Sequence, residues 1–105
     1  MFSVRIAAMS DIPDGTGKTF HINGHAIAIF HIDGTFYALD DTCSHAEASL
    51  GEGDLDVDDL TVECPHHGSR FMLTSGQPLN LPAYEPVKTY PVVVQDGELF
   101  VEYSS

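Results

Sequence analysis

The chain has 105 residues, 43% of them hydrophobic, which is enough for a single buried core and one domain. Its 4 Lys+Arg against 16 Asp+Glu give a formal net charge of -12, which argues against nucleic acid or an anionic membrane as partner and points to a basic protein face. Met1 to Ser10 holds no apolar run of signal-peptide length, and no stretch of about 18 apolar residues occurs anywhere, so the expectation is a soluble, cytoplasmic protein.

In chain order, strand-forming residues cluster at Ser3 to Ala8, Lys18 to Ile22, His25 to Ile32 and Phe36 to Leu39, then again at Pro91 to Gln95 and Glu98 to Tyr103. Asn23-Gly24, Asp33-Gly34 and Asp96-Gly97 fall between these stretches. Such dipeptides accept the positive φ angles of two-residue hairpin turns, so three hairpins are predicted. No segment has the periodicity of an amphipathic helix. The expected fold class is all-β, an antiparallel sandwich or small barrel.

The middle of the chain, Asp40 to Pro86, breaks that pattern. Gly51, Gly53, Gly68, Gly76, Pro65, Pro78, Pro82 and Pro86 mark loops around short strands such as Leu60 to Glu63 and Arg70 to Leu73. Glu52 to Asp59, EGDLDVDD, is an acidic run expected to form a short exposed turn or helix. On composition alone it reads as a solvated surface, with docking to a basic partner as the sharper alternative. His21, His25 and His31 lie within the hairpin strands at no ligand spacing and are given no role.

The two cysteines each lie beside histidine, in Cys43-Ser44-His45 and in Cys64-Pro65-His66-His67, with 18 residues between His45 and Cys64. A single buried cysteine or surface histidine is ordinary. Four such residues in two tight turns are not, and one disulfide alone makes a sparse staple for a secreted domain. A Cys₂His₂ set admits structural zinc or an iron–sulfur cluster. Zinc fingers usually pair Cys with Cys and His with His along the chain, whereas here each loop supplies one of each. That order favours a [2Fe-2S] cluster, and the Rieske arrangement, with both cysteines on one iron and both histidines on the other, would put Cys43 and Cys64 on the first and His45 and His67 on the second. Two imidazoles in place of two thiolates remove about two negative charges and make reduction easier.

The motifs C-x-H and C-x-x-H, with a gap at the long end of the family's range, resemble those of Rieske-type ferredoxins. Gly68-Ser69-Arg70-Phe71, Thr74-Ser75-Gly76 and Leu81-Pro82-Ala83 resemble that family's stretches after the second ligand pair and over the cluster. The resemblance covers nearly the whole chain. It implies a Rieske-type antiparallel β-sandwich, with a basal part from residues 1–39 and 87–105 and a cluster-binding subdomain of about residues 40–86.

Within the family the likeness is to ferredoxins of bacterial aromatic-ring dioxygenases. This implies a one-electron carrier between a ferredoxin reductase and a terminal oxygenase, docking through an exposed His45/His67 edge, with His66 beside it as a candidate partner contact. A Rieske small subunit of a nitrite reductase is the alternative. Ala48 and His66 stand where the respiratory branch has a bridging disulfide, so none is expected. Phe71 stands where high-potential relatives have a tyrosine hydroxyl, which implies a potential toward the low end, although the Ser69 hydroxyl acts in the opposite sense. No nucleophile with its base, nucleotide-binding glycine motif or mononuclear-iron site is visible, so the expectation is a carrier rather than an enzyme.

Overall fold

A computed structural model of the chain describes residues 2–22, 24–41, 49–65, 68–79 and 86–103. Ten strands follow one another: β1 (Phe2–Ala8), β2 (Thr16–Ile22), β3 (His25–Ile32), β4 (Thr35–Asp40), β5 (Asp54–Asp56), β6 (Thr61–Glu63), β7 (Arg70–Met72), β8 (Thr89–Tyr90), β9 (Val92–Gln95) and β10 (Glu98–Tyr103). They form three sheets with strand orders β1-β10-β9, β2-β3-β4-β8 and β5-β6-β7, and every pairing is antiparallel. The all-β antiparallel fold expected from the sequence is the one that forms.

Turn chemistry sets the hairpins. Asp33 and Gly34 have φ of 51° and 79°, and Asp96 and Gly97 have 54° and 76°. Both central residues are therefore left-handed, and that matches the twist of the flanking strands. Ile22 pairs with His25 across the Asn23-Gly24 connection. Strand β1 carries a register shift between Arg5 and Ala7, which leaves Ile6 as an extra residue against β10.

The acidic run departs from expectation. Asp54–Asp56 form strand β5 against β6, and only the residues after it turn. The reason is long-range: Leu55 packs against a buried core, and the Asp56 carboxylate accepts the N–H groups of Asp58 at 3.0 Å and Asp59 at 3.1 Å, closing the turn into β6.

The four-stranded sheet is the middle layer. Along β3, Ile27 and Ile29 enter a core with Ala7, Leu99 and Val101, while Ala28, Phe30 and Ile32 enter a second core with Val62, Phe71 and Leu73. Strand β4 alternates likewise, with Phe36 and Ala38 on the first side and Tyr37 and Leu39 on the second. A strand buried on both faces reads as a continuous apolar run, as HAIAIFHI does. Each fully buried Phe, Leu or Ile in these cores stabilises the fold by roughly 1.5–3 kcal/mol.

Candidate metal centre

Three chain segments leave the second core and return to it. Leu39 and Leu50 flank the segment that holds Cys43 and His45. Cys64 and Phe71 flank the one that holds His67, and Leu73 and Val87 flank the Pro82 segment. All six of these flanking residues belong to the same buried cluster. The apolar alternation of β4, β6 and β7 thus roots every motif-bearing segment on one rigid base.

The first segment is closed at its foot. The Leu50 N–H donates to the Asp41 carbonyl at 2.7 Å, and the Asp41 N–H donates to the Ala26 carbonyl at 3.1 Å. Asp41 is 6% exposed. Its carboxylate Oδ1 accepts three hydrogen bonds, from the Thr19 hydroxyl at 2.8 Å, the Ser49 hydroxyl at 2.9 Å and the Gly51 N–H at 2.9 Å. Gly51 is required there by close approach, because a Cβ on it would stand 2.1 Å from Thr19 Oγ1.

The second segment starts from Cys64, 1% exposed at the end of β6. Its N–H donates to the Ser69 carbonyl at 2.7 Å, and its own carbonyl accepts the Gly68 N–H at 3.1 Å, so the chain turns back within six residues. Ser69 is fully buried. Strands β6 and β7 hold this turn, with Glu63 opposite Arg70 in register and an ion pair between Arg70 Nη2 and Glu63 Oε1 at 3.4 Å. The guanidinium also donates from Nη1 to the Thr61 hydroxyl at 3.3 Å. The third segment is anchored by Leu79 N–H to the Arg70 carbonyl at 2.8 Å and by Val87 N–H to the Gly76 carbonyl at 2.9 Å.

Beside the first segment, Tyr90 on β8 donates its hydroxyl to Asp40 Oδ1, which also lies 2.7 Å from His25 Nε2. Burial first, then the hydrogen bond to Asp40 and its negative charge, hold the Tyr90 hydroxyl well above the usual tyrosine range. His25, given no role from sequence, therefore tethers β3 to Asp40. His31 takes the structural place expected of it, with Nδ1 donating to the Ile12 carbonyl at 2.8 Å and its ring stacked on Phe36 at 4.1 Å.

Of the four candidate ligands, the structure places Cys64; Cys43, His45 and His67 lie outside the described residues, as do Ala48, His66 and Leu81, Pro82 and Ala83. Among the described residues no group of three or more His, Cys, Asp or Glu side chains is arranged to hold a metal ion. Sequence reasoning missed Thr19, Asp41 and Ser49, whose only signal was the Asp40-Asp41 pair just before Cys43. The donor types present, two thiolates and two imidazoles, fit a [2Fe-2S] cluster of mixed ligation, and the shared core under both motif-bearing segments agrees with one centre.

The all-β fold and a mixed Cys and His donor set rooted on one core fit the class of iron–sulfur electron carriers. Residues 2–91 match the family model described as Rieske [2Fe-2S] domain. The 3-phenylpropionate/cinnamic acid dioxygenase ferredoxin subunit of Photorhabdus laumondii is 45% identical over 104 residues, covering 99% of this chain and 97% of that protein.

Among solved structures, the ferredoxin of carbazole 1,9a-dioxygenase from Nocardioides aromaticivorans IC177 superposes with a TM-score of 0.91 at 35% identity, covering 96% of this chain and 97% of that one. A complex of reduced oxygenase and oxidized ferredoxin in carbazole 1,9a-dioxygenase holds a chain that matches with a TM-score of 0.87 at 37% identity, over 94% of this chain and 91% of that one. This chain belongs to the Rieske [2Fe-2S] domain family. Its cofactor is a Rieske [2Fe-2S] cluster, and its function is electron transfer. No helix among the described residues is long and apolar enough to cross a membrane.

Proposed function

We propose that the chain is the ferredoxin component of an aromatic-ring dioxygenase system, taking electrons from a ferredoxin reductase and delivering them to a terminal oxygenase. The observation that carries this reading is the 45% identity to a dioxygenase ferredoxin subunit across 99% of the chain. The cluster supplies one-electron redox chemistry when bound. Cys43 and Cys64 hold one iron, and His45 and His67 hold the other. The buried position of Cys64 and the common root of the motif-bearing segments support this assignment.

Residues 40–86 act as the cluster-binding part, on a base formed by residues 1–39 and 87–105. His45 and His67 are the residues through which the reductase and oxygenase would exchange electrons with the cluster. The chain itself touches no aromatic substrate, so it serves as a carrier rather than a catalyst.

Low-temperature EPR of the dithionite-reduced protein tests the ligand set. The expected signal has an average g value below that of all-cysteine clusters, and Cys43→Ser and Cys64→Ser each abolish it. A colourless, zinc-containing sample overturns the assignment. Reconstitution decides the system: electron delivery to a ring-hydroxylating oxygenase is expected, and exclusive activity with a nitrite-reducing subunit overturns the dioxygenase reading.

A further inference from the structure

The described residues include an exposed, short-range polar cluster in Asp56 with Asp58 and Asp59. Asp41 differs. It is a buried carboxylate whose three donors come from β2 and from the far end of the segment it begins, with Thr19 lying 22 residues upstream. Thr19 Oγ1 and Ser49 Oγ are also within 3.1 Å of each other, so both hydroxyls and one carboxylate oxygen meet at a single point. An acceptor taking two hydroxyl protons and one amide proton on the same oxygen is suited to a carboxylate, whose negative charge strengthens each bond.

Local packing does not account for this arrangement. The neighbouring backbone bond, Leu50 N–H to the Asp41 carbonyl, already closes the segment as a loop. The side chain adds a cross-tie from that closure to the basal strand β2, and it places a fixed negative charge at the foot of the segment holding Cys43 and His45. A buried charge is weakly screened, so it acts on any redox change nearby.

We infer that Asp41 is a positioning residue for the cluster: it ties the first ligand segment to β2 through Thr19, Ser49 and Gly51, and its charge holds the reduction potential down. The inference rests on the reading of Cys43 and His45 as ligands. Asp41→Asn keeps an acceptor oxygen for all three donors and removes the charge, whereas Asp41→Ala removes both. Thr19→Val cuts the tie to β2 and leaves the carboxylate in place.

The test compares the cluster-loaded proteins by cluster half-life against a chelator, midpoint potential, and hydrogen exchange at the Gly51 amide. Asp41→Asn is expected to keep a wild-type half-life and shift the potential upward. Asp41→Ala and Thr19→Val are expected to lose the cluster several-fold faster, with faster exchange at Gly51. If Asp41→Ala does not fold, Thr19→Val carries the same comparison. A wild-type potential in Asp41→Asn, or wild-type half-life and Gly51 exchange in Thr19→Val, overturns the inference. Failure of the ligand reading is separately visible, as a wild-type protein without a Rieske-type EPR signal.

Discussion

Glu63 and Arg70 face each other in register across β6 and β7, joined by an ion pair at 3.4 Å at the foot of the turn that begins with Cys64. Arg70 is also the single Lys or Arg between residues 19 and 87. Both side chains are partly exposed, so the pair contributes under about 1 kcal/mol to stability. Its position matters more to an electron arriving nearby. Arg70→Gln is expected to lower the midpoint potential and Glu63→Gln to raise it, with little change in Tm. Voltammetry and thermal melts check this. Shifts of the same sign in both variants would show that packing, not charge, is responsible.

Phe71 is fully buried in the same core as Cys64 and offers no hydroxyl. The wild-type potential is expected toward the low end of the Rieske range, roughly -150 mV. Phe71→Tyr adds a donor at the position where high-potential relatives carry one, so the potential is expected to rise. Redox titration of the two proteins decides the matter, and a wild-type value above roughly +100 mV contradicts the low-potential assignment.

Tyr90 couples stability to alkaline pH. Its folded-state pKa is raised by burial and by Asp40, so the fold favours the neutral hydroxyl. That contribution is fully present below the unfolded tyrosine value of about 10 and is lost as pH rises through the folded value. Ultraviolet titration is expected to show Tyr90 failing to ionise in the ordinary range while the protein stays folded. Tyr90→Phe is expected to remove that silent group and to flatten the alkaline loss of stability. Ordinary titration of Tyr90 in the native protein would refute the Asp40 bond.

Asp54, Asp58 and Asp59 are exposed around the β5–β6 turn, with Asp56 bonded inside it. Changing Asp54, Asp56, Asp58 and Asp59 together to asparagine preserves the turn's acceptor at residue 56 and removes four charges. If the run steers encounter with a basic oxygenase or reductase face, the second-order transfer rate falls on the order of tenfold at low salt and converges with wild type at high salt. Stopped-flow measurements across ionic strength test this, and an unchanged salt slope removes the run from docking.

The Asp33-Gly34 and Asp96-Gly97 turns were legible because the left-handed conformation is a local steric matter that two residues settle. The apolar run of β3 was legible for a similar reason, since its side chains advertise burial. Strand β5 was not legible: Asp-Leu-Asp has poor strand propensity, and only pairing with β6 makes it extended.

By itself, the sequence determined the all-β class, the Asp33-Gly34 and Asp96-Gly97 hairpins and the [2Fe-2S] cofactor, because turn sterics and cofactor chemistry reside in residue types at short spacing. Only the tertiary structure decided that the middle sheet is covered on both faces, that Cys64 shares a core with Leu39 and Leu50, and that Asp41 is tied to Thr19. Those relationships join residues far apart in the chain, and the packing that brings them together leaves no local periodicity to read.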